Sequence, residues 1–363
     1  MSTVSRSGLT EIPGFIPGTS VVCEGSIKPI ETLSFGDNIL GAEGHSYPII
    51  LSRKSVLPTV SLITQGSTPS LVSGNQLFWV RQRFKKWNNT KRGYDTFFSD
   101  PKKVKAFDLS KGFYVGTPIS VVKKNPYKLT RDECFLLGVY IGDGHTRKDF
   151  RVSEGRPNDR HWQLIISVGS HELDLFKKLV KLKYRFYSHS KSVYRAVFSS
   201  KRLVELAETH CGVGAYNKFL SKMILDLPVP LLKAVIGGYE FADGSQKGGV
   251  YKATSVSKSL VETLSLAVAK VYKTTCCINF TVRPRKTFIE GRCVNQKDTW
   301  TIIYRKRLPK ASRAFVLDNY VWNPVKSVQN HGLSEVISLF FEKDVNILVN
   351  CLEVCSLVPF EFE

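Results

Sequence analysis

The sequence predicts an α+β protein in which an all-β part precedes a duplicated unit of helices and strands. Between residues 14 and 80, short apolar and β-branched runs alternate with Gly and Pro, a pattern typical of an all-β domain. Residues 136–144 and 236–244 then repeat one apolar pattern that closes on Asp-Gly. This repeat indicates two related halves with pseudo-two-fold symmetry.

The strands expected in the first part are bounded by turn residues. They cover residues 19–23, 27–33, 37–41, 47–52, 60–64 and 76–80. The duplicated part then alternates helical and strand patterns in the same order in each half. Strands are expected at 163–168, 184–187 and 193–199 in the first half, and at 249–255, 277–283 and 299–305 in the second, with helices at 171–182 and 258–273.

Each repeated run predicts a buried helix, since most of its residues are apolar and few are polar. Small residues recur four positions apart in both runs, namely Gly138 and Gly142, and Gly238 and Ala242. Such a stripe lets two helices approach until their backbones nearly touch. Gly after Asp predicts a left-handed C-terminal cap on each helix.

Parallel packing of these two helices would bring Asp143 and Asp243 together. The two carboxylates repel each other and the negative helix ends, so the arrangement requires a cation. Carboxylates, backbone carbonyls and water form the oxygen shell that Mg²⁺ prefers. Divalent metal held by paired acids is a common apparatus for phosphodiester hydrolysis. A single run of this kind, taken alone, is also typical of an ordinary structural helix.

The composition favours a nucleic-acid partner. The chain has 363 residues and a formal net charge of +21, which suits two or three domains and a polyanionic ligand. No apolar run reaches the roughly 18 residues of a membrane span, so we expect no membrane association. Eight Cys without paired metal-ligand spacing predict free thiols in a reducing compartment. We expect an intracellular protein, in the nucleus if the host is eukaryotic and otherwise in the cytoplasm.

The two Asp-Gly runs resemble the paired motifs of LAGLIDADG homing endonucleases, over roughly residues 128–320. The resemblance implies two αββαββα halves, 128–227 and 228–320, whose strands form a DNA-binding saddle above the motif helices. It implies a monomer that binds double-stranded DNA and leaves 3′ overhangs. It also implies Mg²⁺ (or Mn²⁺) held by Asp143 and Asp243 with the carbonyls of Gly142 and Ala242.

A second resemblance covers the rest of the chain. Residues 18–21, 25–31, 35–37 and 106–120 resemble early strands of the Hint fold of inteins, and 325–328, 335–339 and 346–350 resemble its final strands. The resemblance implies an all-β Hint-like domain, 14–125 plus 321–356, which the endonuclease domain interrupts.

Three departures from the intein pattern predict that splicing is lost. Gly14 stands where the nucleophile belongs, Gln76 stands in the slot of the activating His, and Cys355-Ser356 replace the closing His-Asn pair. Without a thiol or hydroxyl at position 14, no acyl shift begins. The chain is therefore similar to an intein-derived, splicing-dead endonuclease.

The endonuclease resemblance also implies a basic residue near each scissile phosphate. Lys218 occupies that place before the second motif, and Lys310 follows the last strand of the second half, with Lys306 as a close rival. A lysine there orders the attacking water or stabilises charge on the phosphorane. The alternative for each is an exposed surface lysine.

Basic residues on the saddle strands are candidates for contacts with bases and phosphates. The set is Arg151, Arg185, Lys191, Arg195, Arg283, Arg285, Lys286, Arg292 and Lys297. Residues 81–105 add nine Lys/Arg interleaved with aromatic residues, among them Arg81, Arg83, Lys85 and Lys86. This stretch is either a further DNA contact or a solvated loop.

The sequence thus predicts a site-specific, metal-dependent DNA endonuclease. Three other functions stay open: an RNA maturase, a self-splicing element, and a catalytically dead DNA-binding regulator. Retention of Asp143 and Asp243 argues against the first and the last, and Gly14 argues against the second.

Overall fold

The computed structural model describes residues 13–24, 26–153, 156–289, 292–309 and 312–356. The chain folds into two compact units. The first, called the β unit here, contains Met1–Val121, Tyr272–Ile278 and Tyr304–Glu363. The second, called the α+β unit, contains Val122–Val271 and Asn279–Ile303. No helix in the described ranges is both long and apolar enough to cross a membrane.

The chain before the first helix forms strands. Within its described residues these are β1 (Ser20–Val22), β2 (Ile27–Pro29), β3 (Asn38–Leu40), β4 (Ser46–Pro48), β5 (Leu51–Thr64), β6 (Ser70–Ser73), β7 (Leu77–Asn88), β8 (Gly93–Phe98), β9 (Lys102–Lys105) and β10 (Phe113–Pro118). The strand expected over 27–33 is shorter, because Ile30–Thr32 forms a 3₁₀ turn directly after Pro29. Residues 81–105 are mostly strand, so the expectation of a solvated loop there is wrong.

The first half of the α+β unit follows the αββαββα order. Its elements are α1 (Arg131–Asp143), β11 (Gly144–Ser153), β12 (Arg156–Gly169), α2 (Leu173–Leu179), β13 (Arg185–Ser188), β14 (Val193–Ser199) and α3 (Lys201–Cys211). A capping box begins α1: the Thr130 hydroxyl accepts from the Glu133 amide, and the Glu133 carboxylate accepts from the Thr130 amide. The strands form one antiparallel sheet in the order β11-β12-β14-β13.

The second half repeats this strand order. Its elements are α4 (Lys222–Leu225), α5 (Val229–Ala242), β15 (Gly244–Lys247), β16 (Val250–Ser255), α6 (Lys258–Tyr272), β17 (Cys276–Thr281), β18 (Lys286–Ile289), β19 (Arg292–Asn295) and β20 (Thr299–Arg305). Its sheet runs β15-β16-β20-β17, while β18 and β19 form a separate hairpin. One expectation is wrong: a closing helix is absent from the described residues after β20, where a further strand follows.

The C-terminal strands complete the β unit. They are β21 (Phe315–Leu317), β22 (Tyr320–Phe340), β23 (Asn346–Val349) and β24 (Leu352–Cys355). The long strand β22 pairs with β10, β21 and β5, and β23 pairs with β1, so sequence-distant segments join one twelve-stranded sheet. Its core buries Phe78, Ile39, Leu62 and Ile347. The assignment of this unit to the Hint fold stays a prediction.

Candidate active site and nucleic-acid interface

Helices α1 and α5 pack in parallel with their backbones in contact. A Cβ added at Gly138 would lie 2.0 Å from the Val235 carbonyl oxygen, and one added at Gly238 would lie 2.0 Å from the Phe135 carbonyl oxygen. Both distances are far below van der Waals contact, so only glycine fits. The close helix approach predicted from the small-residue stripe is confirmed.

The same seam brings the ends of the two helices together. A Cβ at Gly142 would lie 2.5 Å from the Ala242 Cβ and 3.1 Å from an oxygen of the Asp243 carboxylate. Asp243 therefore lies against the last turn of α1, the turn that ends with Asp143. The two acids singled out in the sequence share one small region of the α+β unit.

The predicted left-handed caps are wrong. Gly144 is extended, with φ −106° and ψ 151°, because β11 begins at once after α1. Glycine is required there for a different reason, since a Cβ would lie 2.5 Å from the Tyr140 Cα. Gly244 likewise begins β15, and a Cβ would lie 2.3 Å from the Glu240 carbonyl oxygen. Each helix turns directly into the first strand of its sheet.

The carboxyl groups sit in an environment that disfavours charge. Burial, together with the smaller effects of the negative charges of Asp243 and Glu172, raises the pKa of Asp143 to about 7. Asp243 is exposed at the surface, yet the protein atoms crowded around its carboxyl group also raise its pKa by desolvation. Near neutral pH the pair either holds a proton or binds a cation. Glu172 was not predicted from the sequence, because it lies outside both Asp-Gly runs.

Lys218 is buried beside the end of α1 and is not an exposed lysine. Its ammonium donates to the Tyr140 carbonyl at 2.9 Å and to the Gly144 carbonyl at 3.3 Å, and it lies 3.2 Å from the centroid of the Tyr140 ring. These carbonyls flank Asp143, so the lysine places positive charge at the negative helix end. Burial lowers its pKa to about 8, which leaves it mostly protonated at neutral pH.

The other predicted lysine lies outside the described residues. This residue is Lys310. Its rival Lys306 follows β20, and its ammonium lies 5.5 Å from the centroid of the Tyr272 ring. The β unit contains Lys306 and Tyr272.

One face of the first sheet carries several of the predicted DNA contacts. Arg185 pairs with Val197, and Arg195 pairs with Tyr187 and Ser167. Directly paired residues project to the same side, and positions 195 and 197 are two apart, so Arg185 and Arg195 share a face. The opposite face buries Leu164, Ile166, Phe198 and their neighbours.

Two further candidates of the first half lie elsewhere. Lys191 is exposed in the β13–β14 turn, and Arg151 belongs to β11, where it pairs in register with Asp159.

The register also shows a basic residue that the sequence reasoning missed. Arg147 pairs with Gln163 on β12, and Arg195 pairs with Ser167 on the same strand. Because positions 163 and 167 are four residues apart, Arg147 and Arg195 belong to the same face of the sheet. On either side of Arg147, its neighbours Thr146 and Lys148 bind Glu208, on the helix side of the sheet. In the second sheet, exposed Lys247 and Lys252 were missed in the same way.

The second-half candidates cluster in the segment between β17 and β20. Arg285 forms an ion pair with Asp298 at 3.5 Å, and the Arg283 amide donates to the same carboxylate at 3.0 Å. Lys286 begins β18, Arg292 begins β19, and Lys297 lies just before β20. Arg283, Arg285, Lys286 and Lys297 are exposed.

Arg81 was expected to contact DNA and is instead buried inside the β unit. It donates to the Ser99 carbonyl at 2.7 Å, forms an ion pair with Asp318 and lies over the Trp322 ring. Strand β7 is central at this position, with β10 alongside, so the guanidinium is covered. Farther along β7, Arg83, Lys85 and Lys86 are exposed.

The positions that the sequence comparison with inteins singled out lie in the β unit. The Gly14 amide donates to the Ser73 hydroxyl at 2.8 Å. The Gln76 side chain donates to the Cys355 carbonyl at 3.0 Å, and Ser356 follows directly. Gly14, Gln76 and Ser356 therefore belong to one unit, and their correspondence with intein splicing residues stays a prediction.

Comparisons with known proteins give partial matches. No protein-family model matches the chain. A DNA polymerase of Thermococcus sp. (strain GE8) is 25% identical over 174 residues, which are 47% of this chain and 10% of that protein. The chain thus spans about a tenth of the length of that relative.

Similar solved structures include homing endonucleases. I-DmoI in complex with DNA and Mn is 19% identical, with a TM-score of 0.32, over 48% of this chain and 89% of that one. The meganuclease I-SmaMI bound to uncleavable DNA is 11% identical, with a TM-score of 0.28, over 50% of this chain and 78% of that one. The family membership and the activity of this chain are therefore proposals.

Proposed function

We propose that this protein is a site-specific double-strand DNA endonuclease of the LAGLIDADG type that depends on a divalent metal ion. The observation that carries the proposal is the seam of α1 and α5, where backbone contact at Gly138 and Gly238 sets Asp243 against the turn that ends in Asp143. A protein gains no stability from this pairing of acids, because each carboxylate raises the cost of charging the other. A role in binding a cation explains it.

The donor set fits a hard divalent cation. Two carboxylates, Asp143 and Asp243, stand beside the carbonyls of Gly142 and Ala242, and Mg²⁺ (or Mn²⁺) prefers such oxygens. The described residues contain no group of three or more His, Cys, Asp or Glu placed to enclose a metal. Water and DNA phosphate would therefore complete the shell. When bound, the metal would supply Lewis-acid stabilisation and an activated water.

The residues around the acids have separable tasks in this proposal. Asp143 and Asp243 orient the cation and must lose any proton they hold. Lys218 offsets the negative end of α1 through the Tyr140 and Gly144 carbonyls, which holds Asp143 and the start of β11 in place. Its ammonium is also our candidate for stabilising the scissile phosphate, with Lys310 or Lys306 in the second half.

The basic sheet faces supply the duplex contacts in this proposal. Arg147, Arg185 and Arg195 share the open face of the first sheet, while Lys247 and Lys252 are exposed on the second. Most of these would bind phosphate and give salt-dependent affinity. We further propose cleavage that leaves 3′ overhangs, a monomeric enzyme, an intracellular location and a splicing-dead β unit.

Cleavage of a random duplex library tests the proposal. The full chain is incubated with the library and Mg²⁺, and cut ends are sequenced. Asp143→Asn and Asp243→Asn should each abolish cutting, because one carboxylate of the pair is lost. Asp174→Asn is the matched control, since Asp174 is an exposed acid of the same unit and should cut like the wild type.

The other functions predict different results in the same assay. Specific duplex binding without cutting at any Mg²⁺ concentration would make the protein a DNA-binding regulator. Failure to cut combined with tight binding of structured intron RNA would make it a maturase. Cutting that persists in both Asp→Asn variants would contradict the site itself.

A further inference from the structure

Strands β7 and β8 form a hairpin that displays aromatic side chains to solvent. Four of its rings are about half exposed or more: Phe84 at 49%, Trp87 at 51%, Tyr94 at 64% and Phe97 at 50%. Trp87 pairs directly with Tyr94, and Phe84 pairs directly with Phe97. Because adjacent pairs on a strand alternate sides, each face of the hairpin carries one aromatic pair.

The hairpin is strongly basic around these rings. Between residues 83 and 98 it contains Arg83, Lys85, Lys86, Lys91 and Arg92 against Asp95 as its acid. Lys91 binds Asp95 at 3.1 Å, which leaves the strand positions as the main source of positive potential. The Lys85 ammonium lies 5.8 Å from the centroid of the Tyr94 ring. Positively charged side chains and aromatic ring faces therefore lie next to each other on the hairpin.

The turn holds the rings in a fixed arrangement. The Asn88 side-chain oxygen accepts from the Thr90 and Lys91 amides at 3.0 and 3.1 Å, and its amide donates to Asp95 at 2.6 Å. Trp87 and Tyr94 meet edge to face, with centroids 5.1 Å apart and planes at 76°. Preorganised rings lose little conformational entropy when a ligand stacks on them.

Stability of the β unit does not explain this surface. Its core is built from other residues, and exposed rings remove little apolar area from water. Solvent-facing rings flanked by lysine and arginine are instead the arrangement on which unpaired bases stack while phosphates meet the cations. A duplex keeps its base faces stacked internally, so it would leave these rings unused.

We propose that the β7–β8 hairpin binds single-stranded nucleic acid by base stacking. This site is separate from the paired acids of the α+β unit and does not depend on a divalent metal. On one face, phosphates contact Arg83 and Lys85 and bases stack on the Trp87–Tyr94 pair; on the other face, Lys86 and the Phe84–Phe97 pair offer a second such surface. DNA and RNA single strands share this chemistry.

Binding of labelled homopolymers by the full chain tests the site. Fluorescence anisotropy is measured in EDTA with oligothymidylate, oligouridylate and a DNA hairpin duplex of equal nucleotide count. The wild type should bind the single strands, and the double variant Trp87→Leu with Tyr94→Leu should bind them at least ten-fold more weakly, since leucine keeps apolar area but lacks a ring face. Trp87→Phe with Tyr94→Phe should restore most of the affinity.

One control variant separates stacking from a general loss of apolar surface, and a second double variant tests the other aromatic pair. Phe35→Leu changes an aromatic residue of the same unit that is 79% exposed and lies outside the hairpin, and it should bind like the wild type. Phe84→Leu with Phe97→Leu tests the other face of the hairpin. Circular dichroism verifies that each variant is folded.

The outcomes decide the proposal independently of the endonuclease activity. Wild-type affinity for single strands in both leucine double variants overturns it, as does equal binding of the duplex with no effect of ring replacement. A preference for thymidylate over uridylate, or the reverse, identifies the strand that is bound. Asp143→Asn should abolish library cleavage and leave homopolymer binding unchanged, so either proposal can fail alone.

Discussion

Gly138 on α1 and Gly238 on α5 touch through their backbones. A Cβ on Gly138 would lie 2.9 Å from the Gly238 Cα and 2.0 Å from the Val235 carbonyl oxygen. Backbone atoms cannot move aside as a flexible side chain can, so this contact fixes the separation of the helices. The position of Asp243 beside the end of α1 follows from that separation.

Gly138→Ala should destabilise the protein. The added methyl meets a carbonyl oxygen and forces the helices apart, so we expect a loss of about 3 kcal/mol in the free energy of unfolding, the upper part of the range for overpacked cores. Urea denaturation followed by circular dichroism measures it. Gly237→Ala is the control on α5, because a Cβ there meets nothing within 4 Å; it should be neutral or stabilise by up to about 1 kcal/mol. Equal effects of the two changes would refute the contact.

Gly142→Ala should affect the site more than the fold. Its Cβ would lie 2.5 Å from the Ala242 Cβ and 3.1 Å from the Asp243 carboxylate, at the end of the seam where the helices can splay. We expect at least a ten-fold loss of Mg²⁺-dependent cleavage, with a smaller loss of stability than Gly138→Ala causes. Cleavage rates and urea midpoints of both variants provide the comparison. Wild-type cleavage by Gly142→Ala would mean that the carboxylate geometry does not matter.

Asp143→Asn should stabilise the metal-free protein at pH 8. The folded pKa of Asp143 is about 7, well above that of an unfolded aspartate, so the folded state holds the extra proton. Stability is therefore lost as pH rises through the window from about 4 to 7. After allowance for solvent screening, we expect the variant to gain about 1–3 kcal/mol at pH 8.

The gain should shrink towards pH 4, where the wild-type carboxyl group is protonated in the folded state and about half protonated in the unfolded state. Urea unfolding in EDTA at a series of pH values measures the difference. Asp174→Asn is the control, because Asp174 is exposed. A difference between Asp143→Asn and the wild type that does not change with pH would contradict the raised pKa.

Lys218→Met should destabilise the end of α1 and abolish cleavage. Methionine has a similar length but removes the buried ammonium that donates to the Tyr140 and Gly144 carbonyls, which costs about 2–4 kcal/mol. Lys233→Met removes an exposed lysine of α5 and should stay within about 0.5 kcal/mol of the wild type. Thermal unfolding and library cleavage are the measurements. Unchanged stability of Lys218→Met would show that the ammonium does not hold the helix end.

The sequence could predict the seam because its requirement is local and chemical. The spacing of small residues alone predicts a close helix contact at Gly138 and Gly238. The sequence also predicts that Asp143 and Asp243 lie at the ends of the helices. The cap conformation was mispredicted because a strand starting at Gly144 competes with a left-handed turn, and only the sheet register decides between them.

Burial of individual charges depends on contacts between distant segments and could not be read from the sequence. Arg81 and Arg83 belong to one basic run, yet β10 and Asp318 enclose the first and leave the second exposed. Lys218 finds its carbonyl partners 78 and 74 residues away. Arg147 was missed because its face is defined by pairing with Gln163.

Titration of the metal-free protein with Mn²⁺, followed by isothermal calorimetry at pH 7 in buffers of different ionisation enthalpy, tests the central claim most directly. The paired acids should bind Mn²⁺ with release of protons, each of Asp143→Asn and Asp243→Asn should lose that binding, and Asp174→Asn should retain it. Equal Mn²⁺ binding by the wild type and both site variants, or no binding by the wild type, would contradict the account.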